Sequence, residues 1–143
     1  MSETNFFQLI HNADLLSYKT MSLFVKQFDK QLNISQVILL AHIHHNGAMQ
    51  PSVLAQTLGY TYGAITSMTN KLVTSGYLTR TAAEQDRRTI LLNITASGEQ
   101  LLNEAEALGK EIRNQVYGVL SEEEITQMIH IQNKLLNHVD NMA

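Results

Sequence analysis

At 143 residues without a cysteine, the chain is long enough for one domain with a sizeable core, and it excludes disulfides, thiolate metal sites and thiol-based redox sensing. No apolar run is long enough to cross a membrane and the N-terminus lacks the pattern of a secretory signal, so a cytoplasmic protein is expected. The net charge of −3 is unevenly spread: residues 1–59 balance to zero, residues 60–95 carry +2 and residues 96–143 carry −5. Phosphate attraction is screened within ~8–10 Å, so the middle third alone stays compatible with a nucleic acid partner.

In chain order, Phe6, Ile10, Ala13, Met21, Phe24 and Phe28 recur at helical spacing and predict a first helix over 3–31. Asn33 with Gln36 reads as a capping box opening a second helix over 35–45, which Asn46 and Gly47 close. Pro51 suits the first turn of a third helix through Val53, Leu54 and Leu58 to Gly59. Thr61 can cap a fourth helix with Ile65, Met68 and Leu72 as its buried stripe, ending at Gly76. The third and fourth helices, joined by a tight turn around Gly59, have the spacing of a helix-turn-helix.

Two β-prone runs follow, 77–81 and 89–95, around a charged turn that presents Arg87 and Arg88 beside Asp86. A hairpin tipped with arginines is a poor core element but suits a phosphate-lined groove. Thr95 can cap a long fifth helix with the stripe Leu101, Ala105, Leu108, Ile112, Val116 and Leu120. Ser121 with Glu124 is a second capping box, opening a last helix through Ile125, Met128, Ile129, Leu135, Leu136 and Val139. The terminal helices are longer than cover for the small central unit requires, which points to a shared dimer interface. The expected fold is therefore mainly α with a small β-hairpin wing: a winged helix-turn-helix lobe over 33–95, and a helical dimerisation region from 1–32 and 96–143.

Thr61, Tyr62, Gly63, Thr66, Ser67 and Asn70 lie off the buried stripe of the fourth helix, on the side a recognition helix turns to the major groove. Hydroxyls and amides suit that place, and an asparagine can pair bidentately with adenine. The bland alternative is an ordinary polar helix surface; the adjoining hairpin favours DNA contact. Lys71 reads equally as a phosphate contact or a solvated lysine, and Arg80, at the base of the hairpin, as structural.

Asp86-Arg87-Arg88 followed by Leu92-x-Ile94-Thr95-x-x-Gly98, together with Leu54-Ala55-x-x-Leu58 and Gly76-Tyr77-Leu78-x-Arg80, resembles the MarR family of bacterial transcription regulators along nearly the whole chain. The resemblance implies a homodimer held by the first, fifth and sixth helices, which binds a pseudo-palindromic operator in double-stranded DNA, usually to repress, and is released by a ligand. It also implies that Arg88 enters the minor groove, oriented by Asp86, while Arg87 takes a nearby phosphate. Family recognition helices often carry an arginine near Ser67; its absence here shifts base discrimination to Asn70, van der Waals contacts and DNA shape.

The family binds anionic aromatics and phenolics between its helical region and its DNA lobes. Candidate residues for a small aromatic or phenolic effector here are Tyr18, Met21, Phe24 and His42, although such residues at helical spacing are more often core. His42 and His45, three apart, raise a metal-sensor reading; the positions where zinc-sensing relatives supply further histidines hold Leu108 and Ile112, so no metal and no cofactor is expected. No nucleophile elbow, Gly-rich phosphate loop or His-Glu-x-x-His motif occurs, so an enzyme is not expected. The remaining alternative is a winged-helix dimeric interaction module or anti-regulator without specific DNA binding.

Overall fold

A computed structural model describes residues 3–30 and 32–143. Among them run α1 (Glu3–Gln27), α2 (Ile34–Asn46), α3 (Pro51–Leu58), α4 (Tyr62–Thr74), β1 (Leu78–Ala82), β2 (Ile90–Ile94), α5 (Ala96–Tyr117) and α6 (Glu122–Met142). No helix among the described residues is long and apolar enough to cross a membrane.

The caps read from the sequence set most of these boundaries. Asn33 accepts the Gln36 N–H while the Gln36 side chain accepts the Asn33 N–H, at 2.9 and 3.0 Å. Pro51 stands in the first turn of α3. Thr61 accepts the Ala64 N–H at 3.1 Å, and Ser121 and Glu124 close a second capping box. Such caps satisfy helix-end N–H groups that would otherwise lack partners, each contributing about 1 kcal/mol. Gly59, at φ +74, turns the chain left-handed between α3 and α4, a conformation that disfavours any residue with a Cβ.

The first helix is shorter than its apolar spacing predicts. It ends at Gln27, although the Phe28 N–H still bonds to the Phe24 carbonyl at 2.8 Å; Gln31, the predicted end, lies outside the described residues. Phe28 turns into the core beyond the helix end, its ring stacked on Phe24 with centroids 5.1 Å apart. Side-chain burial continues here where the helix does not, which is why the spacing overran.

The core gathers Leu39, Leu40 and Ile43 of α2, Leu54 of α3, Ile65 and Leu72 of α4, Leu78 and Leu92 of the hairpin, and Leu101, Leu102 and Ala105 of α5. Each fully buried leucine or isoleucine contributes roughly 1.5–3 kcal/mol. In α3 the inward side is Leu54 and Ala55, and Val53 is exposed. Met68 is half-buried, and its neighbour Thr69 is buried instead, its hydroxyl donating to the Ile65 carbonyl at 2.8 Å. A buried hydroxyl paired with its own helix has no desolvation penalty left to meet, so a polar residue sits safely on the inner face.

The strands pair antiparallel from Leu78 opposite Ile94 to Ala82 opposite Ile90. On its other side Leu92 exchanges two main-chain bonds with Met49, at 3.1 and 2.8 Å, so the hairpin is anchored to the segment before α3. Gly98 lets α5 begin directly against Tyr77, the residue before β1, and Ile94 of β2. A Cβ there would stand 2.3 Å from the Tyr77 carbonyl oxygen and 2.7 Å from Ile94.

Candidate nucleic-acid interface

The outer face of α4 is built by its stripe. With Ile65, Thr69 and Leu72 turned inward, the 3.6-residue repeat leaves Tyr62, Gly63, Thr66, Ser67, Asn70 and Lys71 exposed, with Thr61 at the entrance. The polar groups on this face are partly committed. The Thr61 oxygen accepts the Ala64 N–H, leaving its own O–H to donate outward. Thr66 donates to the Tyr62 carbonyl at 2.9 Å, keeping its oxygen lone pairs for an outside donor.

Asn70 is committed further. Its Oδ1 accepts from Nη2 of Arg80 on β1, a link that joins the hairpin to α4 across ten residues of sequence. The residue read from sequence as merely structural thus meets the face expected to read bases. No local signal could have revealed this, because the pairing depends on the angle between helix and hairpin.

At the wing tip Asp86 holds the turn from within. Its Oδ1 accepts the Arg88 N–H at 3.0 Å and its Oδ2 accepts the Thr89 hydroxyl at 3.4 Å. The Thr89 N–H bonds back to the Asp86 carbonyl and the Ala83 N–H to the Thr89 carbonyl. Asp86 therefore orients Arg88 through the main chain, where the family resemblance implied orientation without specifying the contact. Arg87 and Arg88 remain exposed at the tip. The two cationic positions of the wing and the polar face of α4 belong to one frame, since β2 is pinned at Leu92 and Arg80 ties β1 to α4.

The other expected site residues lie away from this face. Between α1, α2 and α5 is a cleft of about 420 Å³ whose lining includes Leu16, Met21, Phe24, Glu106, Arg113 and Tyr117. Tyr18 and His42 are not part of that lining. Arg113, one charge on an amphipathic helix, gave no signal in the sequence; its Nη1 lies 3.1 Å from where a Gly109 Cβ would be, so the missing side chain makes room for the guanidinium. At the end of α2, the Asn46 amide donates to the His42 carbonyl at 2.9 Å, and His44 lies 3.8 Å from Glu99. Among the described residues, no group of three or more His, Cys, Asp or Glu is placed to hold a metal ion.

This arrangement of helices and hairpin is a winged helix-turn-helix fold. The MarR family model matches residues 30–89. A transcriptional repressor from Bacillus subtilis, MdtR, is 32% identical over 101 residues, which cover 71% of this chain and 65% of its own. The transcriptional repressor MprA from Escherichia coli is 29% identical over 117 residues, covering 79% of this chain and 66% of its own. The chain therefore spans about two thirds of the length of these two relatives. Among solved structures, YusO from Bacillus subtilis is similar at TM-score 0.79 and 24% identity, covering 96% of this chain and 99% of that one. A cysteine-to-serine mutant of Escherichia coli MarR complexed with operator DNA is similar at TM-score 0.70 and 21% identity, covering 95% and 99%. By these matches the chain is similar to the MarR family of transcription regulators.

Proposed function

We propose that this protein is a cytoplasmic transcription repressor that binds a pseudo-palindromic DNA operator as a homodimer and is released by a small effector. The observation that carries this reading is the joint presentation of an arginine-tipped wing and the polar face of α4 on one rigid frame. Its likeness to a MarR structure complexed with operator DNA supports the same use of that frame. Each α4 enters a major groove, two such grooves lying about 34 Å apart along the duplex, and each wing reaches the flanking minor groove. There the narrow walls concentrate negative potential around Arg88, with Arg87 on a phosphate.

The dimer reading is supported by apolar surface that the single chain leaves uncovered. On α1, Phe7 is 72% exposed, and Phe6, Leu9 and Ile10 are each more than half exposed. α6 has no buried residue, while Ile129, Leu135, Leu136 and Val139 stand exposed along it. Two long helices with unpartnered apolar faces on one chain are the mark of an interface. Two copies also double the small positive charge of the DNA-facing segment.

For the effector we propose the cleft between α1, α2 and α5, with Met21 and Phe24 on an aromatic ring and Arg113 on an acidic or phenolic group. Release requires that the ligand bind more tightly to a form with a different spacing of the lobes, since equal affinity for both forms shifts nothing. The interaction-module alternative draws on the thin positive charge of the segment. Binding of defined duplexes across a salt series separates the two: an operator binder loses affinity steeply with salt while keeping its sequence preference, and binds two copies per site. Binding of all sequences alike, or of none, would reject the repressor reading.

A further inference from the structure

We propose that Arg80 determines what Asn70 reads in the major groove, and that the base it selects is one with an acceptor-only edge, guanine foremost. The inference rests on the reading of α4 as the helix that enters the groove.

A guanidinium carries only donors, so its partner on Asn70 can only be Oδ1, and the orientation of the amide follows from that chemistry. With one lone pair of Oδ1 given to Arg80, Nδ2 keeps both of its N–H donors for a base. Adenine recognition by asparagine needs both ends of the amide, the carbonyl accepting from N6 and the amide donating to N7. While the Arg80 link holds, Oδ1 is shared with the guanidinium, which weakens its acceptance from N6 and shifts the balance to a base edge made of acceptors. Guanine offers two acceptors, O6 and N7, to the two remaining donors; thymine offers O4 alone, and cytosine opposes them with a donor of its own.

The frame behind Arg80 keeps the link in place. Arg80 pairs with Leu92 in the hairpin register, and Leu92 is fully buried and bonded on its other side to Met49. Asn70 follows Tyr62 and Thr66 at successive intervals of four residues along the exposed side of α4. Both Arg80 and Asn70 are exposed, so their link governs presentation at the surface and carries no core packing.

The test is in-vitro selection from a random duplex pool with the full-length protein and with Asn70→Ala, Arg80→Met and Asn70→Asp. The wild type is expected to enrich an operator containing a position, lost in Asn70→Ala, at which guanine is preferred over adenine by about fivefold or more. Arg80→Met frees the amide and moves that position to adenine. Asn70→Asp keeps an acceptor for Arg80 but offers the groove an oxygen, moving it to cytosine. A merely structural Arg80 would lower affinity for all sequences alike and leave the position unchanged. If the wild type already prefers adenine there, or Asn70→Ala alters no position, or Arg80→Met leaves the position unmoved, the inference is overturned while the operator reading stands. If the wild type enriches no sequence, the operator reading fails and takes the inference with it.

Discussion

The Thr95 hydroxyl donates to the Gly76 carbonyl at 2.6 Å, tying the start of α5 to the turn that ends α4. The same oxygen accepts the Gly98 N–H at 3.0 Å as the cap of α5, and the Thr95 N–H bonds to the Tyr77 carbonyl. One side chain thus joins the helix-turn-helix unit to the long helix of the proposed dimer region. Thr95→Val keeps the shape but removes both bonds, and should lower stability by about 1–3 kcal/mol in urea unfolding. Thr95→Ser should retain most of it. Equal stability of the valine variant and wild type would show that this joint contributes nothing.

Gly98 occupies the adjoining close approach. Gly98→Ala places a methyl 2.3 Å from the Tyr77 carbonyl oxygen, so the start of α5 must shift off Tyr77. The expected cost is about 1–3 kcal/mol, as for other overpacked sites, read as a fall in melting temperature. An unchanged or raised melting temperature would contradict the packing described at this contact.

The wing separates binding from folding. Arg88→Ala should weaken operator binding by about tenfold or more, with melting temperature nearly unchanged, because the side chain is exposed at the hairpin tip. Asp86→Ala should do similar damage by a different route, through loss of the carboxylate that holds the Arg88 N–H and the Thr89 hydroxyl. Asp86→Asn keeps an acceptor and should lose less than Asp86→Ala. Equal loss in the two Asp86 variants would argue against the main-chain role.

Acid should loosen the start of α6 before the rest of the fold. The Ser121 N–H, and then its hydroxyl, hold the Glu124 carboxyl below its ordinary value of 4.5. Because the folded value is depressed, the cap contributes fully above the ordinary value and is lost as pH falls through the lowered one. Amide exchange at Ser121 should rise in that window. Glu124→Gln, which keeps a carbonyl acceptor, should abolish the dependence. A titration midpoint at or above the ordinary value would contradict the capping box.

Removal of residues 121–143 deletes α6 and should abolish the dimer, measured by light scattering. A stable truncated dimer would place the interface elsewhere.

Much of the fold was legible because its helix starts are written in local chemistry. Asn33 with Gln36, Thr61, Thr95 and Ser121 with Glu124 each answer unpaired N–H groups within four residues, and Pro51 removes one, so a short window suffices. The features that escaped depend on contacts distant in sequence. Met49 gains its strand partner from Leu92, Asn70 its partner from Arg80, and the cleft at Arg113 arises only when α5 lies beside α1 and α2. Which residues of α3 turn inward was not legible, because Val53 is as apolar as its neighbours and packing against α4 and β2 decides that Leu54 and Ala55 do so. Exposed polar residues of α4 could be read from periodicity, but their commitments to one another could not.

The most direct test of the repressor reading is selection from a random duplex pool at about 150 mM salt, where non-specific phosphate attraction is weakened, with wild type and Arg88→Ala in parallel. The wild type should enrich a pseudo-palindrome with half-sites one helical turn apart, and the variant should lose or blur it. No enriched sequence from wild type stripped of ligand by unfolding and refolding would contradict it.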